Sequence, residues 1–507
     1  MRTALNRFAI VTTAFLTLGV ITVASAQERV PVPMVSGPIP VTATSRPFLD
    51  SGHVFDPIDL SKAGYVEEEF LVSGTANVYD WAADGAVSVR TPAAPYTTRI
   101  LVRRPADARR FSGAVLVELM YTPRRWDWPM MWGYNRDALI ARGDAWVGIT
   151  MPGAIGGLQK FDAARYRTLS FANPSQTPCG GTATAAPIED GLKWDAISQI
   201  GALLKSGTAT SPFRGMATPA LYLTVQGGEL TTYMNAFHGR ARLAQNRPVF
   251  DGYLARAPFA ATRINQCSPA PANGDPRHLH GKLDVPVIAV TTQGDLPNTI
   301  ALRRDDSDAA MDRYRLYEVA GSGHIDKFAY LGFPAMQDQE AAGNAQGSIE
   351  WPFAAACTPP IPLMNVPILS TVYDAAFSAL DEWSRKGKAA PRASRLVAAA
   401  GQGRQPSISV DDAGHATGGV RTPYVDVPIA SYTVSSPGPG TCAEMGHVVP
   451  FDTQQLVAKY GSFDKYAAQV DASIRRLTAE RWLTPAGAKR VRAELIDAQR
   501  AKWPKTE

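Results

Sequence analysis

Two stretches of this sequence, Gly113-Ala-Val-Leu-Val-Glu-Leu-Met120 and Ala145-Trp-Val-Gly-Ile-Thr150, are apolar almost without interruption, and the helical Tyr134-Asn-Arg-Asp-Ala-Leu-Ile-Ala-Arg-Gly143 lies between them. A strand with no polar face must be covered on both sides, which is the situation of a strand inside a parallel sheet. The alternation continues through a helical period at 193–205, then Ala220-Leu-Tyr-Leu-Thr224, Val249 to Arg256, Val285 to Thr292 and Arg313 to Ala320. Strand, helix, strand is the unit of an α/β fold, so the pattern predicts a mostly parallel central sheet with helices on both faces. Two earlier stretches, Val66 to Gly74 and Tyr96 to Pro105, have apolar positions near one face and read as antiparallel strands that open the sheet.

With 45% hydrophobic residues in a chain of 507, a large core can be buried, and 39 prolines with 42 glycines point to many loops around it. The first residues carry Arg2 and Arg7, an apolar run from Phe8 to Val23 and then Ala24-Ser25-Ala26, the pattern of a secretory signal cleaved before Gln27. Export to a periplasm or the exterior is therefore expected. No later segment approaches the roughly 20 uninterrupted apolar residues of a membrane span. Removing residues 1–26 takes away two arginines from the 51 basic residues and none of the 46 acidic ones, which leaves 49 − 46 = +3. So weak a charge gives no reason to expect nucleic acid as a partner. The four cysteines, 179, 267, 357 and 442, form no Cys-x-x-Cys pair, so two disulfides are expected, with Cys267 to Cys357 and Cys179 to Cys442 the favoured pairing. Residues 27–330 read as the core, and 331–507, where loops and helices take over, as an extension packed on it within the same domain.

Chemistry should be sought beyond the carboxyl ends of the strands. Leu221 to His238 reads as a buried strand, a sharp turn and a helix, with Thr224 at the bend. Such an elbow exposes a side-chain oxygen above the sheet, and the next N–H, that of Val225, would stabilise an oxyanion. Two later strand-end loops supply Asp295, in Thr291-Thr-Gln-Gly-Asp295, and His324, in Ala320-Gly-Ser-Gly-His324. Nucleophile, acid and imidazole then follow the order used for acyl transfer. The loop after Met120 would give the second oxyanion N–H from Met120 or Tyr121, and its Trp126, Trp128 and Trp132 would either line an apolar pocket or pack in the core. Each triad candidate also has a plain structural reading: Thr224 as a β-branched strand residue, Asp295 and His324 as turn residues.

Other polar clusters read as structural. His278-Leu-His280 has no nearby carboxylate or cysteine to complete a metal site, and Asp305-Asp306-Ser307-Asp308 lacks the spacing and turn glycine of a calcium loop. No metal or organic cofactor is expected. Glu229, five residues past Thr224, is an extra carboxylate whose position spacing does not decide.

The motifs Gly64-Tyr-Val-Glu-Glu-Glu-Phe70, Gly74-Thr-Ala-Asn-Val-Tyr79, Arg99-Ile-Leu-Val-Arg-Arg-Pro105, Tyr233-Met-Asn-Ala-Phe-His238, Asp251-Gly-Tyr253, Glu318-Val-Ala-Gly-Ser-Gly-His-Ile-Asp326 and Gly418-Gly-Val-Arg-Thr-Pro423 occur in that order. Together they resemble the bacterial secreted alpha/beta hydrolase domain-containing proteins, over nearly the whole mature chain. The resemblance implies an α/β-hydrolase fold and a nucleophilic hydrolase. Matched on Leu230, Thr232 and Tyr233, it puts Thr224 at the family's serine and Tyr222 in place of a glycine. It puts His324 on a Gly-x-x-His-x-Asp motif and Asp295 on the acidic turn. His415 stands where asparagine is usual, which points to a structural residue. The expectation is an exported hydrolase of carboxylic esters or lactones with Thr224, His324 and Asp295 as its triad. The alternative is an inactive relative that binds a small apolar or aromatic ligand between the three tryptophans.

Overall fold

In this computed structural model, residues 29–343, 363–399, 407–438 and 441–503 are described. The expected signal segment, residues 1–26, and Cys357 lie outside them.

Ten strands form the main sheet: β1 Met34–Ser36, β2 Tyr65–Trp81, β3 Val87–Pro105, β4 Ala114–Leu119, β5 Ala145–Ile149, β6 Ala220–Gln226, β7 Gly252–Arg256, β8 Val287–Thr292, β9 Ser307–Ala309 and β10 Asp312–Val319. Their order is β1-β2-β3-β5-β4-β6-β7-β8-β10-β9. From β5 to β10 all neighbours run parallel, and antiparallel strands cap both edges. The near-continuous apolar runs are these parallel strands, and every residue of β4, β5, β7 and β8 is buried.

Successive side chains of a strand point to opposite faces, and the core divides accordingly. Leu221, Leu223 and Val225 belong to one apolar cluster, covered by the Lys193–Lys205 helix; Tyr222 belongs to the other, covered by the Met130–Arg142 and Ile368–Lys386 helices. This second cluster runs from Phe48 to Ile496 and takes in Tyr466, Val470 and Leu477 of the Phe463–Ala479 helix. Described residues after 331 in these helices thus lie in one apolar cluster with side chains of the sheet.

The charged motifs of β2 and β3 pair across the strands. Glu67 meets Arg103 and Glu68 meets Arg104, both at 2.7 Å, while buried Glu69 bonds Arg99 and, at 2.5 Å, Arg165. Pairing is what makes so many buried charges tolerable. Gly418 to Pro423 runs beside the end of β10, where Val420 exchanges backbone hydrogen bonds with Glu318 and Ala320. A Cβ at Gly419 would stand 2.4 Å from the Glu318 carbonyl oxygen, so the approach requires glycine there.

The cysteine pairing differs from expectation. Cys179 is bonded to Cys267, 88 residues away, which rules out both favoured pairs; Cys442 is disulfide-bonded as well. Both members of the observed pair lie on loops, so their meeting depends on where β6 and β7 carry the chain. Among the described residues no helix is long and apolar enough to cross a membrane.

Candidate active site

β6, β8 and β10 all point their carboxyl ends the same way, so the loops that follow them converge. Asp295 lies three residues past β8 and His324 five past β10, and Asp295 Oδ1 is 2.6 Å from His324 Nδ1. The turns that carry them are tied together. Gln293 N–H donates to the Val319 carbonyl, Gly294 N–H to the Ser322 carbonyl, and Gly321 N–H to Gln293 Oε1. Thr292 donates its hydroxyl to Asp295 Oδ2 at 2.8 Å. Burial would raise the Asp295 pKa, but the bond to His324, the charges of His324 and Arg256, and the Thr292 bond together hold it below the ordinary carboxylate value. The pair is an ionised carboxylate orienting an imidazole whose side chain is 24% exposed.

Arg256, the last residue of β7, supports this loop from below. Fully buried, it donates from Nη2 to the His324 carbonyl and lies close to Tyr134, Tyr373 and Asp295. Asp326, buried beside Arg256, accepts from Phe328 N–H, and burial pushes its carboxyl up to about 7. Arg256 was not singled out from the sequence, although a lone arginine closing the apolar run Val249 to Arg256 is a visible signal; Asp326 closes the Gly-x-x-His-x-Asp motif.

The elbow lies elsewhere than expected. β6 continues through Thr224 and Val225 to Gln226, and the chain turns at Gly227 and Gly228 before a helix starts at Glu229. Thr224 is an interior strand residue, in register with Glu118 and Leu254, with no exposed surface and no hydrogen-bond partner for its hydroxyl. It cannot attack a substrate from there. Val225 stands in register with Leu119 and Ala255, so its N–H points along the sheet instead of into a pocket. Gly227 has φ of +123° and Gly228 comes so close to the loop after β7 that a Cβ would lie 1.8 Å from the Ala260 carbonyl oxygen. The helix is pinned to that same loop by Thr231, which donates to the Phe259 carbonyl, and by Thr232, which accepts from Thr262 N–H.

The expected oxyanion donors are also committed. Tyr121 N–H donates to the Trp128 carbonyl and Met120 N–H to the Ile149 carbonyl. The Tyr121 phenol remains at the site, half-buried and within electrostatic reach of Glu444, Arg256 and Glu229; burial raises its pKa, so it stays a hydrogen-bond donor. Trp126, Trp128 and Trp132 pack in the core. Trp126 lies against Phe48 and Phe333, Trp128 against Tyr330 and Phe333, and Trp132 against Trp146, and each is at most 5% exposed.

The remaining polar clusters are structural. His278 accepts from Ala261 N–H, and His280, whose pKa burial lowers to about 3, meets the Thr231 hydroxyl. Asp306 pairs with Arg395, and Asp308 with Arg315 and Arg392. His415 is buried and accepts from Tyr432 N–H. Among the described residues no group of three potential metal ligands assembles.

A family model described as alpha/beta hydrolase domain matches residues 35–493. The chain belongs to the alpha/beta hydrolase family. Among solved structures, this alpha/beta hydrolase is similar to a cold-adapted esterase from an Arctic intertidal metagenomic library at 14% identity, over 50% of this chain and 84% of that one, with a TM-score of 0.24. It is similar to a glucuronoyl esterase from Solibacter usitatus at 10% identity, over 55% and 82% of the two chains, with a TM-score of 0.29. An alpha-beta serine hydrolase homologue from Coxiella burnetii matches at 6% identity, over 44% and 82%, with a TM-score of 0.24. No curated protein matches the sequence.

Proposed function

We propose that this alpha/beta hydrolase is an exported hydrolase of carboxylic esters or lactones in which His324, oriented by Asp295, moves the proton and water is the nucleophile. The observation that carries this reading is the 2.6 Å contact between Asp295 and His324 beside an elbow with no hydroxyl or thiol. With Nδ1 committed to Asp295, Nε2 is the nitrogen through which the imidazole exchanges a proton. An acid that only orients its imidazole serves proton transfer from water or to a leaving alkoxide as well as it serves a serine. The Tyr121 hydroxyl takes over from the committed backbone N–H groups as donor to the carbonyl oxygen as it gains charge. The leader-like first residues and the Cys179–Cys267 disulfide support export.

The test is hydrolysis of short-chain aryl esters by the purified mature protein. His324→Ala and Asp295→Asn are expected to lose turnover by about a hundredfold or more, while Thr224→Ala keeps it. The progress curve should show no initial burst, since no acyl-enzyme forms. Equal rates in parent and His324→Ala would sink the assignment. A second reading rests on the turn at Gly227 and Gly228, which carries no nucleophile after β6: a hydrolase fold that holds a small ligand without turning it over. Absence of turnover across an ester panel, with saturable ligand binding, would establish it.

A further inference from the structure

The turn at Gly227 and Gly228 carries no hydroxyl, but a carboxylate sits beside it. Glu229, the first residue of the elbow helix, folds back over Gly227, where an ideal Cβ would lie 2.7 Å from Glu229 Oε2. The space into which a side chain on the turn would project is therefore filled by this carboxylate. Glu229 is half-buried, and among the described residues neither a hydrogen bond nor an ion pair reaches its carboxylate, although its backbone carbonyl accepts from Tyr233 N–H. This is unusual in a molecule where Glu67, Glu68, Glu69, Glu118, Glu189, Glu318 and Glu382 are all hydrogen-bonded. A carboxylate held partly out of water without a partner costs stability, and such groups concentrate at functional sites. It lies within electrostatic reach of the Tyr121 phenol, which also senses Glu444 and Arg256, the arginine bonded to the His324 carbonyl.

We infer that Glu229 is a second catalytic residue, the base that deprotonates the attacking water; the inference rests on the hydrolase reading above. As the water oxygen forms its bond to the substrate carbonyl carbon, one water proton passes to the Glu229 carboxylate, and the carbonyl electron pair moves onto oxygen, facing the Tyr121 hydroxyl. When the carbonyl re-forms, the carbon–oxygen bond to the leaving group breaks, and the departing alkoxide takes a proton from His324. The products are the carboxylic acid and the alcohol. Glu229 then gives its proton to solvent and His324 regains one, so both groups return to their starting states. Two groups of opposite duty, one ionised and one protonated, share what a serine, a histidine and an aspartate do in sequence elsewhere.

Glu229→Gln keeps the size of the side chain and removes the base, so kcat should fall by about a hundredfold or more with KM little changed. The parent's kcat against pH should be bell-shaped, and the variant should lose its acidic limb. Glu229→Gly should regain turnover on addition of formate, a small carboxylate that fits the space vacated; a merely structural role would not show this rescue. Circular dichroism and thermal melting establish that each variant is folded. If the parent hydrolyses aryl esters, His324→Ala does not, and Glu229→Gln matches the parent with its acidic limb intact, the inference is overturned and the hydrolase reading stands. A parent with no turnover on any ester overturns both.

Discussion

A threonine hydroxyl in the middle of a parallel sheet has no access to water, and at position 224 it has no protein partner either. An unsatisfied buried hydroxyl is a net cost, and replacing it with an apolar group of the same shape removes that cost. Thr224→Val is therefore expected to stabilise the protein by about 1 kcal/mol, measured by urea denaturation, with ester turnover unchanged. The same side chain read from sequence alone reads as a nucleophile, because a β-branched residue in an apolar run looks alike three residues before a bend and at it. Glu229, left undecided by its spacing, is located by the positive φ of Gly227, which swings the first helical turn back over the strand end.

The helix Met130–Arg142 begins after Pro129 without a capping side chain of its own. Glu118, from β4, does that work: its carboxylate accepts from Met131 N–H at 2.8 Å, Trp132 N–H at 3.0 Å and Trp146 Nε1 at 2.8 Å. Burial outweighs these three donors and pushes its carboxyl from 4.5 up to about 7. A carboxyl whose pKa is raised by folding binds its proton more tightly in the native state. Its contribution is full below pH 4.5 and is lost as pH rises through about 7. Relative to Glu118→Gln, the parent should lose about 3 kcal/mol of stability between pH 4.5 and 7.5, read from paired melts. The elbow makes a second prediction for an element. Gly228→Ala forces the turn away from Ala260, because the added Cβ would otherwise sit 1.8 Å from its carbonyl oxygen. It should cost roughly 1–3 kcal/mol and depress turnover, since the displaced loop also carries Phe259, whose ring lies 6.3 Å from that of His324.

The molecule is held together by contacts distant in sequence. The second apolar cluster joins residues from Phe48 to Ile496, and the Cys179–Cys267 bond closes a loop of 88 residues between β5 and β8. Cross-linking so long a loop restricts the unfolded chain. The double substitution Cys179→Ala and Cys267→Ala is expected to cost about 4 kcal/mol, measured by denaturant titration under non-reducing conditions. Residues after 331 should not separate as a folded unit, because Tyr466, Val470 and Leu477 pack into the same cluster as Leu254 and Ile288 of β7 and β8.

Much of this architecture is written locally. The run Val115 to Met120 has no polar face, so it is a buried strand wherever it is placed, and the period from Lys193 to Lys205 is a helix for similarly local reasons. The order of the loops after β6, β8 and β10, and with it the Asp295 and His324 pair, follows from the same alternation. What sits opposite what does not. Cys179 and Cys267 meet because of the path the chain takes between β5 and β8, and spacing holds no record of that path. Trp126 and Trp128 fill the core because Phe48 and Phe333, 285 positions apart, close on the loop that carries them, and Trp132, on the helix that follows, packs on Trp146. The bend after β6 falls at Gly227 because the strand stays in register with β4 and β7 as far as Val225 and Gln226, and ladder register is a property of three strands together. Local patterning chose the elements and their order; the long-range fit between them chose which side chains face the site.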